Sequence, residues 1–219
     1  MNNKVKSWEE LVNDGENYGG MGKALTPEEK IVFENIKDKK ILKLQDRYAF
    51  SKTGQVSETH DIELATLIAR FEPLRNITTL IITHNNLGPE ALKIITASTL
   101  LPKVDYLHLG SNKLGDEGAK ILAASPMFSK VTTLNLECNG ITAEGAKALA
   151  ASPYLTKVTS LNMVDNRVGD EGALAIAESQ TLANLTYLHL GGNRIRSQEA
   201  KDALKNSTTL TQLETLKVF

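Results

Sequence analysis

The sequence has 219 residues, of which 41% are apolar and 23% charged, with a formal net charge of −1. This composition suffices for a folded core, and the charge balance argues against nucleic acid or an anionic membrane as the main partner. The single cysteine, Cys138, excludes an internal disulfide and a cysteine-based zinc site. No apolar run is long enough to span a membrane, and the first ten residues lack a signal peptide's apolar stretch, so we expect a cytoplasmic protein.

Residues 1–37 carry two helix start signals. Ser7 and Glu10 have the spacing of a capping box, and Thr26-Pro27-Glu28-Glu29 places a proline at a first helical position. Between them, residues 17–24 (NYGGMGKA) lack both the first glycine and the final hydroxyl residue of a phosphate-binding loop. We interpret 17–24 as a linker and expect residues 1–37 to form a helical cap or, alternatively, an independent recognition element.

Residues 38–76 combine a strand pattern with a helix pattern. Leu42 and Leu44 alternate like the inward residues of a strand, and Ala65, Ile68 and Ala69 have helical spacing. The stretch between the two patterns is longer than its equivalent in the units that follow. The sequence therefore predicts an irregular first repeat with an inserted loop.

A 27-residue spacing organises residues 77–219. Corresponding stretches begin at Ile77, Val104, Val131, Val158 and Leu185, and a partial one follows after 28 residues at Leu213. Each full stretch opens on a form of the pattern LxxLxLxxN, whose alternating apolar pair is typical of a short strand with one buried face. It continues as GDEGAKILAAS or a variant, with apolar residues at helical spacing, so each unit is predicted to be strand, turn, helix and loop.

Polar and proline residues mark the predicted helix ends. Gly115, Thr142 and Gly169 occupy the expected N-cap position, and the acids that follow suit the positive end of a helix. The dipeptides Ser125-Pro126 and Ser152-Pro153 are expected to end two of the helices.

The pattern LxxLxLxxN-x-[LIV]-xxx-G-A-xx-L-A resembles leucine-rich repeats of the ribonuclease-inhibitor-like subclass. The GAKALA stretch is also similar to GALA-type repeats of bacterial proteins delivered into host cells. The resemblance covers 77–219 and implies an α/β solenoid, a horseshoe with a parallel concave β-sheet, convex α-helices and a capping N-terminal segment. The resemblance further implies that the protein binds another protein, and more specifically that it inhibits or regulates an enzyme. It also implies an alternative location, the host cytosol, if the protein is a bacterial effector.

A ladder of asparagines follows the strands of successive repeats. In this repeat class the position points inward, where its amide pairs with backbone groups of adjacent turns, so we interpret the ladder as structural. It consists of Asn85, Asn112, Asn139, Asn166 and Asn193.

The candidate binding residues are the outward ones on the predicted concave face, because the inward ones are constrained by the repeat. Two tyrosine–histidine pairs stand out, since tyrosine offers a large, stiff contact area with a polar tip. The alternative is a solvated sheet on which β-formers such as tyrosine are expected anyway. The candidates are Tyr106, His108, Asn135, Glu137, Asn162, Val164, Asp165, Tyr187 and His189.

The sequence contains no constellation that indicates catalysis, a metal or a cofactor. Three strand gaps separate His108 from His189, roughly 14 Å at normal strand spacing, which is too far for one metal ion. Cys138 has no histidine in its own repeat to activate it. We therefore predict a non-catalytic module that binds a protein partner, with no nucleic acid, no membrane insertion and no cofactor.

Three alternatives concern other surfaces of the chain. Ran GTPase-activating proteins share this repeat subclass, and an arginine finger would then come from Arg167 or Arg194. A scaffold would recruit its partners through residues 1–37. A final strand close to Phe219 would allow self-association through an unpaired edge.

Replacing Asn139 with leucine should destabilise the protein, because buried backbone groups would lose their partners. We expect a lower melting temperature in thermal denaturation followed by circular dichroism. An unchanged melting temperature would contradict the structural interpretation of the ladder.

Overall fold

The computed structural model describes residues 40–45, 60–70 and 72–218. The predicted cap at 1–37, most of the predicted inserted loop and Phe219 lie outside these ranges. Within them, the strands are β1 (Ile41–Gln45), β2 (Thr79–Thr83), β3 (Tyr106–His108), β4 (Thr133–Asn135), β5 (Ser160–Asn162), β6 (Tyr187–His189) and β7 (Thr215–Lys217). The α-helices are α1 (His60–Arg70), α2 (Pro89–Thr96), α3 (Gly115–Ala124), α4 (Ala143–Ala150), α5 (Gly169–Ala177) and α6 (Gln198–Lys205). Short 3₁₀ helices cover Glu72–Asn76 and Pro126–Phe128.

The seven described strands form one parallel sheet whose order follows the chain. Leu107 pairs with Leu134, and Leu134 with Leu161, so neighbouring strands repeat every 27 residues. At the start of the sheet, β1 pairs with β2 with Leu42 opposite Leu80. Parallel neighbours joined through helices make an α/β solenoid, which confirms the fold class predicted from the repeat.

The core lies between the sheet and the helices. Alternation along each strand turns one leucine, such as Leu134, toward the helices, where it is 1% exposed. On the helix side, α4 buries Gly145, Ala146 and Leu149. A Cβ added to Gly145 would lie 3.0 Å from the Cβ of Ala119 on α3, so the glycine lets neighbouring helices approach closely.

The helix starts differ between alternate repeats, which corrects part of the sequence analysis. Thr142 is an N-cap as predicted, since its Oγ1 accepts a hydrogen bond from the Glu144 N–H at 3.3 Å. Gly115 and Gly169 are instead the first helical residues, with φ of +57° and +63°. In this left-handed conformation, which glycine adopts without strain, their N–H groups donate to carbonyls of the next repeat's ladder asparagines, at 3.0 and 2.9 Å.

An aspartate from the preceding helix caps two of the helices that lack such a glycine. Asp116 on α3 accepts hydrogen bonds from the Thr142 N–H (2.7 Å), the Thr142 hydroxyl (2.7 Å) and the Gly145 N–H (3.0 Å). Asp170 on α5 accepts from the N–H groups of Arg196 and Ser197 in the same way. Burial alone would raise the pKa of Asp116, but these hydrogen bonds outweigh it and hold the pKa below its ordinary value.

The asparagine ladder joins each repeat to both of its neighbours. The Asn139 amide donates backward to the Leu109 carbonyl at 2.9 Å and to the Leu136 carbonyl of its own repeat at 3.1 Å. Asn166 Oδ1 accepts from the Asn139 and Ile141 N–H groups, each at 3.0 Å. Because Asn139 and Asn166 are each 3% exposed, these amides satisfy backbone groups that water does not reach.

A second ladder, of serines, runs along the ends of the helices and was not predicted as such. Hydroxyls of Ser98, Ser152, Ser179 and Ser207 each donate to a carbonyl in or just after the last turn of the preceding repeat's helix. These carbonyls have no partner inside their own helix, so each serine satisfies a group that would otherwise be unpaired. Ser125 occupies the same place, but its buried Oγ has no hydrogen-bond partner among the described residues.

Ser179 and Ser125 form a matched pair for testing this ladder, since they are 5% and 6% exposed. Ser179→Ala should lower the free energy of unfolding by about 1–3 kcal/mol, because the Ala150 carbonyl and the Leu182 N–H lose their partner. Ser125→Ala should leave it unchanged or raise it slightly. Urea denaturation of both variants measures the difference, and equal losses would show that the hydrogen bonds do not decide the effect.

Candidate functional site

The sheet surface opposite the helices is called the open face here, and it corresponds to the predicted concave face. Its side chains flank the buried central leucine of each strand, as Tyr106 and His108 flank Leu107. All nine candidate binding residues lie on this face or at its edge. Eight are half-buried, and Asp165, in the turn after β5, is exposed.

Glu137 lies at the centre of a hydrogen-bonded network on the open face. Its Oε2 accepts from the side-chain amides of Asn162 at 2.8 Å and Asn135 at 3.3 Å. Its Oε1 lies 3.9 Å from Nε2 of His108. One carboxylate therefore joins side chains from three neighbouring strands.

The two asparagines of this network are fixed by their own backbones. Asn135 Oδ1 accepts from the Glu137 N–H at 3.0 Å, and Asn162 Oδ1 accepts from the Val164 N–H at 3.1 Å. Each amide oxygen is thus occupied, which leaves the NH₂ group to face the carboxylate. Hydrogen bonds within the chain therefore set the orientation of both side chains.

Gly110 supports the His108 side of the network. Its N–H donates to Nδ1 of His108 at 3.1 Å, so the neutral imidazole carries its proton on Nε2, the nitrogen that faces Glu137. A Cβ at Gly110 would come within 2.7 Å of His108 and 2.8 Å of Glu137. Both side chains therefore lie directly over this glycine.

The second aromatic pair lies three strands away from the first. The rings of Tyr187 and His189 meet edge to face with centroids 6.3 Å apart, and the tyrosine hydroxyl is 3.5 Å from the imidazole Nδ1. Lys217 Nζ lies 5.7 Å from the centroid of the Tyr187 ring. The ring of Tyr187 thus already contacts a cation.

The single thiol of the sequence, Cys138, lies in the turn after β4. Burial and the nearby carboxylates of Asp165 and Glu137 raise the pKa of the Cys138 thiol, which favours its protonated form. Among residues 40–45, 60–70 and 72–218, no three potential ligands are grouped to hold a metal ion. The same ranges include no helix with the length and hydropathy needed to cross a bilayer.

Arg167 and Arg194, the candidate arginine fingers, lie in exposed turns beyond the carboxyl ends of β5 and β6. The Arg167 N–H donates to the Ile141 carbonyl at 2.7 Å, and Arg194 has a positive φ of 59°. The backbones of both residues are thus part of the repeat turns, and their side chains are exposed.

A Leucine Rich repeat family model matches the chain at residues 74–94, 101–123, 129–150, 154–177 and 181–198. The protein is a leucine-rich repeat protein. The matched segments follow the strand–helix units of the solenoid one by one, from the end of the first 3₁₀ helix to the start of α6. No curated protein sequence matches this chain.

Solved structures of three other proteins are similar to this repeat protein at low identity. An internalin from Listeria monocytogenes is 18% identical over 68% of this chain and 43% of its own, with a TM-score of 0.42. The tropomodulin C-terminal domain of Caenorhabditis elegans is 15% identical over 83% of this chain and 91% of its own, with a TM-score of 0.43. The plant peptide hormone receptor RGFR1, in complex with RGF2, is 17% identical over 68% of this chain and 29% of its own, with a TM-score of 0.35. The chain thus spans less than half the length of the internalin and of the receptor.

Burial controls the charge of the two open-face histidines. Burial lowers the pKa of His108, and the nearby charges of His84 and Lys43 lower it further. The carboxylate of Glu137 acts in the opposite direction, but the pKa remains below its ordinary value. Burial and the positive charge of Lys217 also lower the pKa of His189. The carboxylates of Asp165 and Glu137 oppose this shift without cancelling it. Both imidazoles are therefore neutral at pH 7 and act as hydrogen-bonding groups rather than as cations.

In an NMR pH titration, His108 should titrate below the ordinary histidine pKa, and Glu137→Gln should lower its pKa further because the attracting charge is gone. A depressed folded-state pKa means that the unfolded chain binds the proton more readily. The stability that the neutral imidazole contributes is therefore present above the ordinary pKa and is lost as the pH falls below it. A His108 pKa at or above the ordinary value would contradict this assignment.

Proposed function

We propose that this leucine-rich repeat protein is a non-catalytic module that binds a protein partner through the open face. The observation that carries the proposal is the Glu137 network, a set of polar side chains on the outward side of the sheet whose orientations are set by hydrogen bonds within the chain. Preorganised groups lose little conformational entropy when they bind, which favours their use at an interface.

The dimensions of the open face suit a macromolecule. The two aromatic pairs, on β3 and β6, are separated by three strand gaps, roughly 14 Å, and all seven described strands span about 29 Å. A face of this width can supply the roughly 800 Å² that one partner contributes to a standard interface. The tyrosines Tyr106 and Tyr187 would then provide large contacts on either side of the polar centre.

The finer form of the proposal is inhibition or regulation of another enzyme. We also propose that the repeats belong to the ribonuclease-inhibitor-like subclass, because each described unit between β2 and β7 carries a true α-helix of eight to ten residues. A horseshoe of this kind would cover an active site without supplying catalytic groups. Its location would be cytoplasmic or, for a bacterial protein delivered by a secretion system, a host cytosol.

The test is affinity capture from the native proteome, followed by mass spectrometry, with wild type and an open-face variant side by side. A partner retained by wild type and lost by the folded variant would support the proposal, and an enzyme among such partners would favour inhibition. A partner retained by both would move the binding site elsewhere. The open-face variant carries Tyr106→Ala, His108→Ala, Tyr187→Ala and His189→Ala.

A helix-face variant with the same number of substitutions is the matched control. Its four positions are exposed and comprise two acids and two lysines, so the control has the same net charge as wild type. The open-face variant also keeps the wild-type net charge, because the histidines that it loses are neutral at pH 7. Circular dichroism should first show that both variants fold, and the control should retain the partner. The control carries Glu117→Ala, Lys120→Ala, Glu171→Ala and Lys205→Ala.

A further inference from the structure

In the described part of the chain, two acids lie between two lysines on the strands of the open face or directly after them, and Arg167 and Arg194 lie further along the turns after β5 and β6. Glu137 and Asp165 lie near the middle of the sheet, after β4 and β5, whereas Lys43 on β1 and Lys217 on β7 lie at its two ends. At normal strand spacing, Lys43 is about 14 Å from the β4 strand and Lys217 about 10 Å from β5. A complementary surface would therefore place a positive charge opposite the middle of the face.

Glu137 provides the group that such a charge would contact. Its side chain is 33% exposed, and Oε2 is already occupied by the two asparagine amides. Within the described ranges, the one basic group within 4.0 Å of the carboxylate is His108, at 3.9 Å from Oε1. Since that imidazole is neutral at pH 7, the carboxylate has hydrogen-bond donors but no cationic counter-ion.

The partial burial of Glu137 makes a counter-ion more valuable than it would be on an open surface. Interactions of half-buried charges are less screened by water and salt than those between fully exposed groups. The asparagines hold the carboxylate in one orientation, so a partner's cation would not have to order it. Both effects favour a specific ion pair across an interface.

Aromatic side chains on both sides of Glu137 fit the stem of a long cationic residue. The pair on β3, Tyr106 and His108, and the pair on β6, Tyr187 and His189, flank the strands that lead to the carboxylate. Lysine and arginine pack their methylene groups along such rings and place the charged end at a polar group. The Tyr187 ring already lies near one basic side chain within the chain, since Lys217 Nζ is 5.7 Å from its centroid.

From the positions of these charges, and because the Glu137 carboxylate has amide donors but no lysine or arginine within 4.0 Å among the described residues, we infer that the middle of the open face accepts a lysine or arginine side chain of the protein partner, with Glu137 as its counter-ion. This inference rests on the proposed function and adds the chemistry of the partner. The partner surface presents one basic side chain at its centre and uncharged or acidic residues around it.

Selection from a random peptide library displayed on phage tests this directly, with the full chain as the target. We expect enriched peptides to share a lysine or arginine whose replacement by norleucine or citrulline weakens binding at least tenfold. Glu137→Gln should weaken the binding of the same peptides by a similar factor, because it removes the negative charge and keeps an acceptor for the asparagine amides. Added salt should weaken their binding to wild type more than to the variant.

The matched control is Glu199→Gln, which removes the same charge from an exposed position on α6 and should leave binding unchanged. If peptides bind wild type, are lost on the four-residue open-face variant, and yet show no basic residue or no effect of Glu137→Gln, the inference fails and the proposed function stands. If no selected peptide depends on the open face, the proposed function itself fails.

Discussion

The solenoid depends on how each repeat satisfies the backbone of its neighbour. A buried asparagine such as Asn139 donates to carbonyls of its own and the preceding repeat, while the next asparagine, Asn166, accepts from its backbone N–H. These bonds act in both directions, so a shift of one strand by a single residue would leave buried donors and acceptors unpaired on two repeats. The 27-residue period is thus fixed by hydrogen bonds as well as by the leucines of the core.

This inward constraint is what leaves the open face free for binding. Leucines and asparagines hold the repeats together from one side of each strand, and the alternation of the strand turns the remaining residues outward. On that side lies the network around Glu137, which joins side chains of three neighbouring strands. The helix layer and the open face can therefore be altered separately, which is the arrangement expected of a scaffold that presents a binding surface.

Much of the fold was predictable because it depends on local patterns. The spacing of leucines and asparagines specified the strands, their parallel order and the position of the helices. The helix starts at Gly115 and Gly169 were mispredicted, because their left-handed conformation depends on carbonyls of the following repeat. The hydrogen bonds of the Glu137 network could not be predicted from the sequence, because they join residues as far apart as Asn162 and Glu137, which are separated by 25 positions. The sequence offered one indication of the network, namely Asn135, which lies two residues before Glu137 and therefore on the same face of the strand.

The alternation of helix starts has a consequence for how such a chain can be lengthened or shortened. Helices that begin at a left-handed glycine carry an aspartate in their first turn, and that aspartate caps the next helix, which has no such glycine. A glycine-start repeat therefore supplies the aspartate that caps the helix of the repeat after it, so that the two repeats act as a pair. Deleting or duplicating one repeat would bring two of the same kind together and leave a cap without its helix, whereas exchanging an adjacent pair would preserve every junction. Repeat arrays engineered from this chain should accordingly be assembled in twos.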